Sequence, residues 1–388
     1  MKNARKILYV VNNAAFFVSH RLPVALAARD QGFSIDLITG QAGSPSMEVV
    51  AIEKLKATGF RHQRVSFSSG SLNPIIELVG FIGLIKKIIE SQPALIHCIS
   101  PKGIIYGGLA ARFCKTQNLV LAISGMGFAF TQGNSSNQLR GFISKIYLLL
   151  LAFVLRHPNI RVIVQNEDDR RKIIELSVVD SAKINLIPGS GVDLKKFTDS
   201  KIEAKSLIVL LPARMLWDKG VGEFIEAAKW LKRSMPEWRF ILAGAADYAN
   251  PTRVPVELLE ELNAKQVIEW VGHVDDVTPY FSEASIVCLP SYREGMPKCL
   301  LEGAAAGCAI VTTDAVGCRE AIVPGKSGLL VPIRDSVALK NALQLLMCDR
   351  GLRESYGYSG RKLAINKFGL DAVIKSTLSI YREILDRE

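Results

Sequence analysis

The chain has 388 residues, 49% hydrophobic and 22% charged, with a formal net charge of +11. This composition excludes a disordered or fibrous protein and predicts two domains of ordinary size. No apolar run nears the ~18–20 residues of a membrane-spanning helix; the longest runs from Ile146 to Leu155. The seven cysteines include no C-x-x-C pair, so neither a disulfide framework nor a zinc site is expected, and the default compartment is the cytosol.

In chain order, the basic start followed by a short apolar run reads as a first β-strand, since the run is too brief for the core of a signal peptide. Strand-like segments at 6–11, 34–39, 94–99, 119–124 and 161–165 are separated by helical patterns. A turn-rich stretch at 187–201 follows, and the pattern restarts at 206–213, 239–246, 266–272, 284–290 and 309–314. Alternation of this kind predicts an α/β chain of two doubly wound parallel sheets. The expected domains are 1–190 and 191–370, with a terminal helix over 371–388 packing back on the first. In such sheets ligands lie beyond the carboxyl ends of the strands, so the loops there are where chemistry is sought.

Charge is divided unevenly between the halves. Residues 1–190 hold 22 Lys and Arg against 11 Asp and Glu, while residues 191–388 hold 26 of each sign. No acidic residue occurs between Glu90 and Glu167, a gap that contains Lys102, Arg112, Lys115, Arg140, Lys145, Arg156 and Arg161. An anionic partner is expected on this half. The apolar helix read at 141–158, flanked by Lys145, Arg156 and His157, is either a core helix or one lying in lipid headgroups. The gap in acidic residues favours the membrane surface; nucleic acid is not expected, because no basic and aromatic interleaving accompanies the charge.

Several motifs are absent. The loop after the first strand reads Val11-Asn12-Asn13-Ala14-Ala15, without the glycines of a dinucleotide fingerprint, and Gly125-Met126-Gly127 is only a partial match. There is no P-loop, no G-x-S-x-G elbow and no D-x-D carboxylate cradle for a metal-bound diphosphate.

Two segments of the second half carry the chemistry. In 212–220, Arg214 and Lys219 follow a strand and precede a helix, which suits a diphosphate site built from cations. In 289–322, a strand gives way to Glu294-Gly295-Met296-Pro297, with Pro297 expected at the first helical position and Glu302 one turn later. The amides of Gly295, Met296, Lys298 and Cys299 are then placed to face an anion. Surface solvation is the competing account of Arg214 and Lys219, and a carboxylate pair eight apart arises often by chance.

Arg214, Lys219, the Glu294-to-Glu302 segment and Gly317-x-x-Glu320 together resemble the retaining glycosyltransferases of family 4, which have the GT-B fold. The likeness spans nearly the whole chain and includes Ser190-Gly191-Val192-Asp193. Through FFVSHRLP (16–23), ISGMGFAF (123–130) and ARMLWDKG (213–220), the chain is similar to bacterial enzymes that add an N-acetylated hexosamine to a polyprenyl-diphosphate-linked sugar.

The resemblance implies two Rossmann-like domains facing a cleft and a nucleotide sugar, by family habit UDP-linked, as donor. Arg214 and Lys219 would hold the diphosphate and stabilise the leaving group without a metal or other cofactor. Glu302 would accept the ribose hydroxyls, and Glu294 would contact the donor sugar at the reaction centre. Gly244 and His273 complete the donor side. Asn13, His20, Arg21, Gly125 and Gly127 are assigned to the acceptor side, with His20 also a catalytic candidate and with His20 and Arg21 opening a helix. His97 falls near positions where relatives place a substrate histidine. The leaving phosphate is expected to take the acceptor's proton, no protein base being evident.

The chain departs from the family pattern at Asn12 to Ala15, where many members carry a glycine pair, and at Cys318, where many have glycine. The expected partners are a nucleotide sugar, a polyprenyl-diphosphate-linked saccharide and the inner face of the cytoplasmic membrane, with the enzyme peripherally attached there and serving O-antigen, capsule or glycoprotein-glycan assembly. Rival readings are a transferase acting on a soluble acceptor or on lipopolysaccharide core, and a sugar-binding protein without chemistry.

Overall fold

The structure is a computed structural model in which residues 5–41, 45–68, 73–126, 138–198, 202, 205–248 and 250–386 are described. The chain divides into two compact units, one of Met1–Ile187 with Val373–Glu388, the other of Pro188–Ala372.

The first unit is a parallel sheet of strands β1 (Lys6–Val11), β2 (Ser34–Gln41), β3 (Arg61–Ser68), β4 (Leu95–Ile99), β5 (Asn118–Ile123), β6 (Ile160–Val164) and β7 (Ile184–Leu186). Their order is β3-β2-β1-β4-β5-β6-β7, with β1 and β4 side by side at the reversal of winding. The central strands are buried on both faces, as their continuous Ile, Leu and Val content requires. Ile7, Tyr9 and Val11 turn to a core shared with helices Ala14–His20, Leu22–Asp30 and Leu370–Leu385. Leu8 and Val10 turn the other way, to a core closed by helices Pro74–Ser91, Pro101–Phe113 and Gln138–Leu155. The last helix contributes Val373, Leu378, Ile380, Tyr381 and Ile384 to the first unit, so the chain's end completes a core begun at its start.

The second unit is a six-stranded parallel sheet of β8 (Ser206–Pro212), β9 (Arg239–Ala243), β10 (Glu269–Gly272), β11 (Ala284–Leu289), β12 (Ala309–Thr313) and β13 (Gly328–Val331). Its order is β10-β9-β8-β11-β12-β13, which puts β8 and β11 side by side where the winding reverses. Helix Val221–Ser234 buries Phe224, Ile225 and Leu231 on one face of this sheet. Helix Lys298–Ala305 buries Leu300, Leu301 and Ala304 on the other.

The strands read from sequence are present, while β3, β7 and β13 went unread. Two local readings are corrected. His20 and Arg21 do not open a helix: His20 ends helix Ala14–His20, and Arg21 is the break before helix Leu22–Asp30, because Pro23 favours a new first turn there. Pro297 is the residue before helix Lys298–Ala305 rather than its first, with φ of −73° and an extended ψ. The helix read at 141–158 spans Gln138–Leu155 and has two characters: Leu151, Val154 and Leu155 are buried, while Ile146, Leu149 and Phe153 are exposed. Among the described residues no helix is long and apolar enough to cross a membrane.

Candidate active site

In the second unit, the loops after β8, β11 and β12 meet at the carboxyl edge of the sheet and are tied together by hydrogen bonds. The Asp218 carbonyl accepts from the Tyr292 amide at 3.0 Å and from the Ser291 hydroxyl at 3.1 Å. The Glu294 amide donates to the Val316 carbonyl at 2.9 Å. Thr313 donates through its hydroxyl to the Ser291 carbonyl. Gly317, at φ +79°, has room for nothing larger: a Cβ there would stand 2.5 Å from the carbonyl oxygens of Glu294 and Gly295. The backbone of the Glu294 loop is therefore held from both sides.

On this frame Lys219 donates to the Glu294 carboxylate in a half-buried ion pair. Four residues into the next helix, Glu302 lies 3.4 Å from the Lys298 ammonium. Burial raises the Glu302 pKa above the ordinary carboxylate value, with Lys298 acting against it. Cys299 sits between the two acids; burial, reinforced by Glu294, pushes its thiol pKa far up, so it packs as a small neutral group. Cys318 is fully buried and its thiol is pushed up to about 12 by the same cause, which fits packing rather than reactivity.

Arg214, at the end of β8, is more than half exposed and donates to Asp247 at 2.7 Å. Gly244 makes its position possible, because a Cβ there would fall 1.8 Å from the Ala213 carbonyl. The Trp270 indole N–H caps the Gly244 carbonyl at 2.9 Å. His273 is exposed, 3.4 Å from Asp275. Met296 turns its side chain into the core, leaving its backbone to the loop. The loops thus bring Lys219, Glu294, Cys299 and Glu302 to one edge of the sheet, with Arg214 five residues before Lys219 on the same loop after β8.

The first unit has its own set at the carboxyl ends of β1, β4 and β5. Asn13 caps helix Ala14–His20, its side-chain oxygen accepting from the Phe16 amide at 2.8 Å. Asn12 accepts from the Gly103 amide at 3.0 Å and so fastens this loop to the one after β4. Glu48, which the sequence reading missed, accepts from the amides of Ala14 and Ala15 at 3.2 and 3.4 Å and is buried. A carboxylate thus occupies the helix start where a glycine pair would admit phosphate. In the sequence Glu48 is one charged residue of a helix that also carries Glu53, Lys54 and Lys56, so nothing there singles it out.

His20 stacks on Phe16 with ring centroids 4.4 Å apart, and its Nδ1 lies 2.6 Å from the Ser19 hydroxyl. Arg21 is 4% exposed, and its Nε has no hydrogen-bond partner. Burial lowers its pKa, opposed by the nearby hydroxyls of Tyr381 and Tyr9. Gly125, at φ +120°, follows β5, while Gly127 lies outside the described residues. His97 is corrected: from the middle of β4 it points into the core, 1% exposed, its Nδ1 2.6 Å from the Tyr381 hydroxyl.

Comparison with known proteins bears on the family and the fold. The family described as Glycosyl transferases group 1 matches residues 193–363, and that described as Glycosyl transferase 4-like matches residues 6–166. The chain is 29% identical to the N,N'-diacetylbacillosaminyl-diphospho-undecaprenol alpha-1,3-N-acetylgalactosaminyltransferase of Campylobacter jejuni, over 98% of this chain and 99% of that protein. It is 25% identical to the Escherichia coli UDP-Gal:alpha-D-GlcNAc-diphosphoundecaprenol alpha-1,3-galactosyltransferase, over 73% of each. Among solved structures, a sucrose-phosphate synthase from Thermosynechococcus elongatus superposes with a TM-score of 0.80 at 19% identity, covering 99% of this chain and 100% of that one. Anabaena Alr3699/HepE, solved in complex with UDP, gives 0.74 at 16% identity, covering 97% and 100%. The two matched regions follow the two sheets in turn, and the chain belongs to the family 4 glycosyltransferases of GT-B fold.

Proposed function

We propose that the protein is a retaining, metal-independent transferase that moves an N-acetylhexosamine from a UDP-sugar to a polyprenyl-diphosphate-linked saccharide in the assembly of a cell-surface glycan. The observation that carries the reading is the convergence of Lys219, Glu294 and Glu302 on one sheet edge, with Arg214 beside them. Arg214 and Lys219 neutralise the charge that grows on the UDP diphosphate as the glycosidic bond breaks, which is the work a divalent ion does elsewhere. Glu302 accepts both ribose hydroxyls, and Lys298 opposes the burial that raises its carboxyl pKa. Glu294, oriented by Lys219, meets the donor sugar's hydroxyls. The departing β-phosphate oxygen takes the proton of the acceptor hydroxyl on the same face of the sugar, so configuration is retained.

The acceptor belongs to the first unit, where the excess cations lie, and the enzyme works as a peripheral protein on the inner face of the cytoplasmic membrane. Support for the donor and acceptor classes comes from the Campylobacter and Escherichia proteins, whose names state an N-acetylgalactosaminyl transfer and a UDP-galactose donor, each to an undecaprenyl-diphosphate sugar.

The test is transfer of label from a panel of UDP-sugars to polyprenyl-diphosphate-linked saccharides, with and without chelator. The expected result is transfer from one UDP-N-acetylhexosamine, unaffected by chelator and with the anomeric configuration kept. Transfer only to soluble acceptors, or loss of activity on chelation, would overturn the corresponding part.

A further inference from the structure

Helix Pro74–Ser91 is apolar on two opposite sides. One side, through Gly80, Leu84 and Ile88, lies on the sheet so closely that a Cβ on Gly80 would come within 2.8 Å of the Phe67 amide nitrogen. The other carries Ile75, Val79, Ile82 and Ile89, spaced at helical intervals and each 56–72% exposed. A helix apolar all round belongs inside a protein or against something apolar, and among the described residues this one has only half of that requirement met.

The exposed stripe does not stand alone. Phe113, 68% exposed at the end of the neighbouring helix, packs against Phe81 with ring centroids 6.0 Å apart. Beside it, the Arg112 guanidinium lies 4.3 Å over the Phe153 ring of helix Gln138–Leu155. Leu149 is 72% exposed on that same helix. Three adjacent helices thus present one apolar layer to solvent, an arrangement that marks an interaction surface.

The charges on this layer select its partner. Lys86 falls in the stripe between Ile82 and Ile89, and Lys145 and Arg156 bracket Leu149 and Phe153; all three are exposed. Lys87 and Lys115 add to them. Of the acids, Glu77 is taken up by Lys102 at 2.8 Å and by the Tyr106 hydroxyl at 2.6 Å, which leaves Glu90 as the exposed carboxylate on these three helices. Apolar side chains interleaved with cations complement an anionic bilayer, where leucine and isoleucine enter the acyl boundary and ammonium groups meet phosphate. A protein partner with a dry interface would leave those cations buried without counter-charges.

We propose that the outer faces of helices Pro74–Ser91 and Gln138–Leu155, joined by Phe113, seat the first unit on an anionic lipid surface. The proposal rests on the lipid-acceptor reading for its purpose, since it brings the unit assigned to the acceptor down to the leaflet that holds it. The helix starts at Pro74 and Pro101 lie toward the carboxyl edge of the sheet, the edge that also carries Asn13 and Gly125, so the docked face runs up to the loops assigned to the acceptor.

The test uses the full chain and flotation with phosphatidylcholine vesicles, with or without about a third phosphatidylglycerol and with no polyprenyl lipid. The wild type is expected to float with the anionic vesicles and to be released as salt rises. The variants Val79→Asp/Ile82→Asp and Leu149→Asp/Phe153→Asp are each expected to lower the bound fraction about tenfold. Val337→Asp/Leu345→Asp, at exposed positions of the second unit, is expected to leave it unchanged. Transfer to a short-chain, water-soluble acceptor diphosphate should be kept by all of them, which separates failure to dock from failure of the chemistry. Absence of wild-type flotation, or flotation of both patch variants equal to that of the wild type, would overturn the proposal. So would patch variants that turn a dimer into a monomer without changing flotation, since the face would then serve a second copy of the chain. If flotation behaves as expected but no polyprenyl acceptor is ever used, the docking face stands and the acceptor reading falls.

Discussion

Lys219 and Glu294 hold each other in a half-buried pair, and removing either leaves the other charged without a partner. Lys219→Ala is therefore expected to reduce kcat on the order of 100- to 1000-fold, because it removes transition-state charge and frees Glu294 from its position. Arg214→Ala should cost less, about 10-fold, since the guanidinium is exposed and screened. Steady-state kinetics with the preferred donor decides both, and equal losses would contradict the difference in exposure. Glu302 behaves differently. Its folded pKa is above the unfolded value, so the folded state binds the proton more tightly, and Glu302 opposes stability at neutral pH and ceases to do so as pH falls. Glu302→Gln should raise the melting temperature by about 2–4 °C at neutral pH while raising the donor KM. Lowering the pH should raise the wild type's donor KM as Glu302 takes up its proton, starting at a higher pH than an ordinary glutamate, and this limb should be missing from the variant's profile. A variant that melts lower than the wild type would show that the carboxylate is satisfied rather than strained by burial.

At the level of elements, the candidate site depends on how closely loops approach. Gly244→Ala would force the β9 loop off the Ala213 carbonyl and move Arg214 with it, with an expected stability cost of about 1–3 kcal/mol. Gly317→Ala meets both a positive φ and two carbonyl oxygens, so it should displace Glu294 and lower kcat more than it raises KM. Denaturant melts and kinetics on the two variants check these outcomes. The sequence was legible where strand and helix alternate cleanly and where Arg214, Lys219 and Glu294 fall in loops after strands, with Glu302 on the helix that follows. It was illegible at β3, whose Arg61, His62, Gln63 and Arg64 hide the strand pattern at the sheet's edge, and at β7, three residues held by one neighbour. Arg21 was read as opening a helix on the acceptor side, because nothing local says that a break between two helices falls there and turns it inward. The outer stripe of helix Pro74–Ser91 was hidden for the opposite reason: an apolar residue in a sequence does not say whether it meets the core or solvent.

For the molecule as a whole, two sheets of separate cores predict separable responses. UDP should raise the melting transition of the second unit and leave that of the first nearly where it was, as binding to one unit requires. Deleting residues 373–388 should act on the other, lowering the first unit's transition by about 10 °C or more through the loss of Val373, Leu378, Ile380, Tyr381 and Ile384 from its core. Differential scanning calorimetry with and without UDP reads both effects, and a single transition shifted equally by both changes would contradict the division.

The Tyr381 hydroxyl lies 2.8 Å from that of Tyr9, 372 positions earlier, and 2.6 Å from the imidazole of His97. On the ribosome, the first unit therefore emerges without the last piece of its own interior. Its sheet can form early, yet Phe33, Tyr9 and the helices around them lack their cover until the second unit has been made and helix Leu370–Leu385 has emerged behind it. The order of synthesis thus runs opposite to the order of completion: the second unit, continuous in the chain, can finish first, and the nascent protein has to keep an open apolar face from aggregating until residues 373–385 arrive.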